Sequence, residues 1–320
     1  MILENVNVNG YESGGMGVTT FGIDSSDLTY VIGLLRNDIY SDKELAIIRE
    51  ISINGYDANK EAGVEKRIKV KLPTRFDSQF KVRDYGKGMT IEKLTSIFVK
   101  YGKSSKRGSN NEVGCFGIGA KSPFAYTNSF VVISYNSGIK SMYNCVLDAS
   151  DVGSMISMGS EVSDEADGLE VIVNIRDGDI ESFQKKAMKF YSYWDTMPEI
   201  EGFDVNDCTD NKTTLLVGNG WKLLDDPDYT FYKQSYAVMG NIAYPIDWSL
   251  LKMDDMDEID YFFKKHSFVI RFNIGELKMS PSRESLQYVE LTNNSIKARL
   301  NGIISELSLI HISEPTRRRG

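Results

Sequence analysis

The sequence predicts an α/β protein: a sandwich in which helices cover a mixed sheet, followed by a second, smaller α/β domain. Three observations support this prediction: long stretches of helical apolar spacing, several strand-like apolar runs, and glycine-rich turns between them. The length of 320 residues is enough for two domains. The segment 176–179, which is rich in Asp and Gly, is the predicted boundary between the domains.

The first domain is assigned to residues 28–178, and its elements follow from the spacing of their apolar residues. Helices are predicted at Leu28–Arg36 and Asp42–Ala62, because apolar residues recur there at helical intervals. Strands are predicted where apolar residues alternate or run together, at 68–72, 80–83, 130–135, 141–147 and 169–175. Residues 1–27 precede these elements as an N-terminal arm.

The second domain is assigned to residues 179–306 and again mixes both kinds of pattern. A helix is predicted at Ile180–Tyr193. Further elements are predicted at 236–245, 268–274 and 282–288. Residues 307–320 look like the in-frame translation of a sequencing adapter. They are therefore excluded from the fold prediction, and the second domain is expected to be truncated.

A polar stripe lies along the predicted helix Asp42–Ala62. Glu50, Asn54 and Asp57 stand at positions i, i+4 and i+7, so they point within roughly 60° of one another on the helix. A carboxylate in such a stripe can accept a proton from an attacking water, and an amide oxygen beside it can ligate magnesium. The alternative interpretation is a solvated polar face of the helix.

The second motif is a turn with two glycines that follows a strand. Asp84 stands at the end of the predicted strand 80–83, and Gly86 and Gly88 follow it. Glycine permits positive φ angles and close backbone approach, so a planar ring can lie against such a turn. The carboxylate at the strand end can accept a hydrogen bond from an exocyclic amine. The alternative is an ordinary turn, since this pattern alone is common.

The third motif combines three glycines with a lysine and a serine. Gly114, Gly117 and Gly119 leave backbone N–H groups uncovered, and a helix is predicted to begin directly after them. Uncovered amides at a helix N-terminus attract anions such as phosphate. Lys121 adds a positive charge and Ser122 a hydroxyl group. The alternative is a glycine-rich hairpin, which does not require a lysine at this place.

In this order, the three motifs resemble the nucleotide site of the GHKL (Bergerat-fold) ATPases, the superfamily of gyrase B, heat-shock chaperones, histidine kinases and MutL. The resemblance implies ATP and Mg²⁺ as ligands. It makes Glu50 the general base, Asn54 the magnesium ligand, and Asp84 the residue that binds the adenine amino group. The other residues to which it assigns nucleotide binding are Asp57, Gly86, Gly88, Met89, Gly114, Gly117, Ile118, Gly119, Lys121 and Ser122.

A polar, basic segment at residues 103–111 extends this resemblance. Its composition, which includes glycine, suits a lid over an anion. Ser105 and Lys106 belong to a Ser-Ser-Lys string that is similar to the Thr-Ser-Lys of MutL lids. The resemblance therefore implies that both residues contact the nucleotide.

Arg283, within the string Ser280–Glu284, resembles the middle-domain arginine of heat-shock chaperones that reaches the γ-phosphate. A cation presented to the terminal phosphate stabilises the charge that builds up in phosphoryl transfer. The resemblance therefore implies a catalytic role for Arg283 and a second domain of the transducer type, similar to ribosomal S5 domain 2. The alternative is that Ser282 caps a helix on which Arg283 and Glu284 are exposed.

Four strings resemble, in order, strings of the rIIA lysis-inhibition proteins of T-even-like bacteriophages: Arg49–Ala58, Gly117–Thr127, Tyr244–Asp247 and Ser280–Glu284. That resemblance implies a phage-encoded protein in the cytoplasm of the infected bacterium, peripheral at the inner membrane, which modulates host lysis and prophage exclusion. It implies a second phage protein as partner, and related ATPases imply an ATP-dependent homodimer. Two other functions stay open: a DNA-transaction ATPase like MutL or gyrase B, and a nucleotide-gated interaction module that does not hydrolyse ATP. The presence of Glu50 disfavours the module, because binding alone needs no base.

Composition disfavours several other classes of protein. The net charge of −8 argues against wholesale binding of nucleic acid, which needs a concentrated basic surface. No apolar run approaches the ~20 residues that span a bilayer, so no transmembrane segment is expected. Three widely spaced cysteines fit a reducing cytoplasm, and two histidines do not supply a zinc site or a histidine-based triad.

Overall fold

The computed structural model describes residues 39–98, 119–148, 153–203, 212–226, 233–251 and 257–313. The predicted arm at residues 1–27 and the predicted helix Leu28–Arg36 lie outside this part of the chain. The chain divides into two compact units. The first comprises the residues up to 69 together with 79–174, and the second comprises residues 70–78 and the residues from 175 onwards.

Both units contain helices and strands. The described helices are α1 (Lys43–Ala62), α2 (Ile91–Phe98), α3 (Ile180–Tyr191), α4 (Asp257–Lys265) and α5 (Glu290–Ser313), with 3₁₀ turns at Gly119–Ala125 and Asp177–Asp179. The described strands are β1 (Lys69–Lys71), β2 (Gln79–Arg83), β3 (Ser129–Asn136), β4 (Ile139–Leu147), β5 (Gly153–Val162), β6 (Gly168–Asn174), β7 (Glu199–Glu201), β8 (Thr213–Gly218), β9 (Trp221–Asp225), β10 (Tyr236–Met239), β11 (Ile242–Pro245) and β12 (Ser267–Phe272).

Helix α1 forms where the sequence predicts a helix, and it has a defined start and end. Oδ1 of Asp42 caps its N-terminus by accepting a hydrogen bond from Leu45 N at 3.0 Å. Gly63 ends it with a φ of 69°, a conformation that glycine adopts readily. The helix buries four isoleucines, each worth about 1.5–3 kcal/mol relative to exposure. They are Ile47, Ile48, Ile51 and Ile53.

The first unit contains five strands in the order β5-β4-β3-β6-β2, and their neighbouring pairs are antiparallel. Val171 on the central strand β6 lies opposite both Val82 on β2 and Val132 on β3. Helix α1 packs on β2 and β6 and on the 3₁₀ turn Gly119–Ala125. On α1, Gly55, Ala58 and Asn59 contact the segment that follows β2.

The second unit contains a mixed sheet in the order β11-β10-β12-β9-β8. The pair β10–β12 is parallel, whereas the other pairs are antiparallel. Oε2 of Glu306 on α5 accepts hydrogen bonds from the Trp221 indole at 2.9 Å and from Asn219 N at 3.1 Å. Helix α5 continues to Ser313, beyond the predicted end of the domain.

The predicted α/β class, with a mixed sheet and helices, is confirmed. Residues 70–78 hydrogen-bond within the second unit, where Leu72 N donates to Glu201 O and Ile175 N donates to Ser78 O, each at 2.8 Å. The sequence does not predict this, because the partners are far apart along the chain. Of the helices that the structure describes, none has both the length and the apolarity that a membrane crossing requires.

Candidate functional site

Glu50 lies buried on α1, directly against the start of the 3₁₀ turn. Only 4 % of the residue is exposed. A Cβ atom added to Gly119 would overlap Oε2 of Glu50, so a larger residue does not fit there while Glu50 keeps this position. Oε1 of Glu50 lies 3.4 Å from Nε of Arg49, which is buried as well. The carboxylate is thus accompanied by a cation and contacts the end of the glycine-rich segment.

Asn54 and Asp57 continue the polar stripe along α1, and both are half-buried. Asn54 follows Glu50 by about one helical turn, so its amide oxygen lies on the same face of the helix. Because Glu50 is buried, the stripe differs from a solvated polar face of a helix. Along the stripe, a buried carboxylate and a half-buried amide are therefore neighbours.

Asp84 has a buried carboxylate, and one of its two oxygens is hydrogen-bonded to the backbone. Its Oδ1 accepts hydrogen bonds from Gly86 N at 2.9 Å and from Leu169 N at 3.1 Å. Among the described residues, no hydrogen bond ends on Oδ2. Burial raises the pKa of Asp84 from 3.8 to about 6, although both backbone bonds and the nearby Arg83 lower it. A buried acid with a raised pKa and an unused oxygen is typical of a binding site.

The turn after Asp84 requires its glycines for close packing. A Cβ atom on Gly86 would lie 3.0 Å from Ala58 O on α1. Gly88 has a φ of 63°, and a Cβ atom there would overlap the backbone oxygen of Tyr135. Met89 is fixed by Ser134, whose Oγ accepts from Met89 N at 3.0 Å and donates to Met89 O at 2.7 Å.

Arg83 and Gly168 support Asp84 from the side of β6. The Arg83 guanidinium donates to the backbone oxygens of Asp84 and Ala166, and its centre lies 4.1 Å from the centre of the Tyr135 ring. Gly168 has a φ of 140°, and a Cβ atom there would overlap Asp84 O. Gly168 therefore lets β6 approach close enough for Leu169 N to reach the Asp84 carboxylate.

Lys121 and Ser122 lie within the 3₁₀ turn and are almost fully buried, with exposures of 2 % and 1 %. The predicted helix at this place is a short 3₁₀ turn that contains Pro123. Burial lowers the pKa of Lys121 to about 8, while its neighbour Cys145 acts in the opposite direction. Oγ of Ser122 has no hydrogen-bond partner among the described residues, so it can bind a ligand oxygen.

Part of the predicted site falls on residues that the structure does not describe. These residues are Ser105, Lys106, Gly114, Gly117 and Ile118. Their assignment to nucleotide binding stays a prediction. The described part of the site is therefore formed by α1, by the turn after β2 and by the 3₁₀ turn.

Asn59 on α1 is a residue of this site that the sequence analysis missed. Its Oδ1 accepts a hydrogen bond from Tyr85 N at 2.6 Å, and its Nδ2 donates to Lys66 O at 2.7 Å. The residue is 5 % exposed. One signal was present in the sequence: Gly55 and Asn59 are four residues apart and share the face of α1 that contacts the turn.

Arg283 belongs to the second unit, where it lies in a tight loop. Its φ is 58°, which is uncommon for a residue other than glycine, and it is 8 % exposed. Oγ of Ser280 accepts hydrogen bonds from Glu284 N and Ser285 N, each at 3.3 Å. The alternative in which Ser282 caps a helix with an exposed Arg283 is wrong, because Ser280 closes a loop instead of starting a helix.

Comparison with known proteins agrees with this geometry. Residues 41–167 match the family described as histidine kinase-, DNA gyrase B- and HSP90-like ATPase. Among solved structures, the ATPase region of Saccharomyces cerevisiae topoisomerase II is similar, with a TM-score of 0.53, 13 % identity, and coverage of 82 % of this chain and 85 % of that chain. The same region bound to ICRF-187 (dexrazoxane) gives a TM-score of 0.51 at the same identity and coverage. No curated protein sequence matches the chain.

The family match spans α1, the turn after β2, and the glycine-rich segment, and it ends directly before Gly168. Within it lie Glu50, Asn54 and Asp84, in the order that the GHKL resemblance predicts. At 13 % identity, the likeness to topoisomerase II shows the fold alone. Residues 41–167 are therefore similar to the GHKL ATPases in sequence, and the fold is the one seen in the topoisomerase II ATPase region.

Proposed function

We propose that this protein binds ATP together with Mg²⁺ and hydrolyses the ATP to ADP and phosphate. The observation that carries the proposal is the contact between Glu50 and Gly119. It brings a buried carboxylate to the segment whose uncovered backbone amides suit phosphate. The family match of residues 41–167 supports the same activity.

The adenine ring binds at the turn that follows β2. Oδ1 of Asp84 is occupied by two backbone N–H groups, so Oδ2 accepts from the amino group of the base. Gly86 and Gly88 leave the turn without side chains, and the ring can therefore lie against the backbone. Met89 adds an apolar surface whose backbone Ser134 holds in place.

The phosphates bind at the glycine-rich segment, where Ser122 offers a buried hydroxyl group without a partner among the described residues. Asn54 would ligate the magnesium ion through its amide oxygen, which suits a hard cation. When bound, the ion supplies positive charge that neutralises the phosphate oxygens. Lys121 lies in the interior beside the same segment, where it adds charge to the local field.

Hydrolysis depends on Glu50 as the general base. The carboxylate accepts the proton of a water that attacks the terminal phosphate, and the bond from that phosphate to ADP breaks. Arg49 lies beside the Glu50 carboxylate and offsets its negative charge in the buried site. The products are ADP, inorganic phosphate and a proton, which Glu50 later releases to solvent.

Arg283 senses the γ-phosphate in this proposal and couples the second unit to the nucleotide. We expect Arg283→Ala to lower ATP hydrolysis about tenfold, since one charge-assisted hydrogen bond is lost, and to leave ADP affinity unchanged. In the parent protein, a non-hydrolysable ATP analogue should raise the Tm more than ADP does. In Arg283→Ala the two nucleotides should raise it equally.

A second variant separates this role from loop stability. Arg283→Gly removes the side chain and also relieves about 1–2 kcal/mol of backbone strain, because glycine adopts a positive φ freely. We expect it to be at least as stable as Arg283→Ala and equally unable to distinguish the analogue from ADP. Equal Tm values for the parent with both nucleotides would show that Arg283 does not sense the γ-phosphate.

The biological setting of the activity is a further part of the proposal. The rIIA resemblance of Lys121–Thr127 and Ser280–Glu284 supports an ATP-dependent role in phage-infected bacteria, with a second phage protein and the inner membrane as partners. Dimerisation upon ATP binding accompanies this role. Light scattering with and without the ATP analogue tests the dimer, and a mass unchanged by the analogue contradicts it.

A phosphate-release assay on the purified protein tests the proposed hydrolysis. Release that requires both ATP and Mg²⁺ supports a hydrolase. ATP binding without release would instead support the nucleotide-gated interaction module. Stimulation of release by DNA would favour the DNA-transaction ATPase.

A further inference from the structure

Asn59 connects three segments of the first unit. Its Oδ1 accepts from Tyr85 N at 2.6 Å, and its Nδ2 donates to Lys66 O at 2.7 Å. Its backbone oxygen also accepts from Val64 N at 2.9 Å, beyond the end of α1. The residue is buried, so these bonds are protected from competing water.

The bond to Tyr85 lies one residue away from the Asp84 carboxylate. Helix α1 contacts this turn closely, because a Cβ atom on Gly55 would lie 3.4 Å from Cβ of Asp84. Gly86, on the other side of Tyr85, packs on the backbone of Ala58. Asn59 thus supplies a polar link between the helix and the peptide that immediately follows Asp84.

We infer that Asn59 is a positioning residue that sets the selectivity of the site for adenine over guanine. The inference rests on the proposed function. By holding Tyr85 N, Asn59 fixes the turn that carries Gly86 N, and Gly86 N in turn holds Oδ1 of Asp84 so that the carboxylate keeps one direction. Adenine presents an amino group at the position where guanine presents a carbonyl oxygen. A fixed carboxylate accepts from the first and repels the second, whereas a carboxylate that can turn away discriminates less.

The place of Asn59 on α1 restricts its influence to the base end of the site. Glu50 and Asn59 are nine residues apart on the same helix, a separation of ~13.5 Å along the axis. Because the helix is capped at both ends by Asp42 and Gly63, loss of the Asn59 side chain leaves the Glu50 end in place. The expected change is therefore in KM and base selectivity, while kcat at saturating ATP stays constant.

Two variants separate the two side-chain bonds. Leucine is similar in size to asparagine, and Asn59→Leu removes both side-chain hydrogen bonds. Asn59→Asp retains an acceptor for Tyr85 N and removes the amide donor to Lys66 O. We expect Asn59→Leu to bind ATP about tenfold more weakly and to lose a similar factor in its preference for ATP over GTP. We expect Asn59→Asp to keep the preference of the parent protein.

A control variant identifies a merely structural effect. Val173→Ala removes a buried side chain on β6, so it destabilises the same unit without changing the turn. Dissociation constants for ATP and GTP, measured by titration with Mg²⁺ present, are compared with the Tm of each variant. Val173→Ala should lower the Tm and leave the ATP preference unchanged.

The outcomes distinguish this inference from the proposed function. A parent protein that prefers ATP, together with Asn59→Leu that keeps this preference, overturns the role of Asn59 alone. Loss of the preference in Asn59→Asp or in Val173→Ala overturns it as well, because the effect would then not follow the bond to Tyr85. A parent protein that binds neither nucleotide overturns the proposed function and the inference with it.

Discussion

Replacement of Glu50 by glutamine is expected to reduce ATP hydrolysis by about 10²–10⁴-fold, the usual contribution of a general base. The amide has nearly the shape of the carboxylate, so it fits against Gly119, but it does not accept the proton of the attacking water. Contacts to the base and the phosphates remain, so we expect the affinity for ATP to stay within about threefold of the parent value. Single-turnover hydrolysis and equilibrium titration measure the two quantities separately.

Glu61→Gln is a matched control for this experiment. Glu61 lies on the same helix near its C-terminal end and is exposed. The control should hydrolyse ATP like the parent protein. Unchanged turnover in Glu50→Gln would remove Glu50 from the role of base.

Replacement of Asp84 by asparagine is expected to weaken ATP binding by about 10–100-fold, equivalent to about 1–3 kcal/mol. The asparagine Oδ1 still accepts from Gly86 N and Leu169 N. Its amide nitrogen then stands where Oδ2 was, so a donor faces the amino group of adenine. Titration with ATP measures the loss, and Asp164→Asn, which changes an exposed residue of the same unit, is the control.

Asp84→Asn is also expected to be more stable than the parent protein when no nucleotide is bound. Folding raises the pKa of Asp84 from 3.8 to about 6. The stability that this group contributes is therefore complete below pH 3.8 and is lost as the pH rises through about 6. At about 1.4 kcal/mol per pKa unit, the ionised carboxylate costs roughly 3 kcal/mol above that range.

Asparagine carries no charge, so it does not bear this cost. We expect the Tm of Asp84→Asn to exceed that of the parent by several degrees at pH 7.5 and to approach it near pH 4. A variant that is less stable than the parent at pH 7.5, or that binds ATP equally well, contradicts the account of Asp84. A residue that weakens the fold and strengthens binding is expected at a functional site.

Helix α1 and the turn after β2 could be predicted from the sequence because their signals are local. Asp42 and Gly63 bracket α1 with an N-cap and a left-handed C-terminus, and the isoleucines between them follow the helical period. Gly86 and Gly88 likewise mark the turn directly after Asp84. Each of these signals, taken by itself, depends on residues within a few positions of one another.

The supports of Asp84 could not be predicted, because they come from distant parts of the chain. Leu169 N reaches the carboxylate across 85 residues, and Asn59 reaches Tyr85 N across 26 residues. No local sequence pattern predicts that residue 168 must be a glycine so that β6 can approach Asp84. These contacts follow from the strand order of the sheet, which places β6 next to β2.

Two residues show how burial changes the interpretation of a motif. Lys121 follows the glycines of the third motif, where an exposed positive charge is expected. Only 2 % of the residue is exposed, and the spacing of the motif does not predict this burial. In the string Ser280–Glu284, the serines suggest a helix cap. The bridge between Met279 and Leu286 closes the string into a loop instead, and Arg283 takes a positive φ.

The turn after β2 is expected to recognise adenine in a site for ATP. Equilibrium titration of the parent protein with ATP and with GTP, both in the presence of Mg²⁺, tests it most directly. We expect saturable binding of ATP, with GTP bound at least about tenfold more weakly, because Oδ2 of Asp84 accepts from an amino group and repels a carbonyl oxygen. Equal affinity for the two nucleotides, or no binding of either, would contradict it.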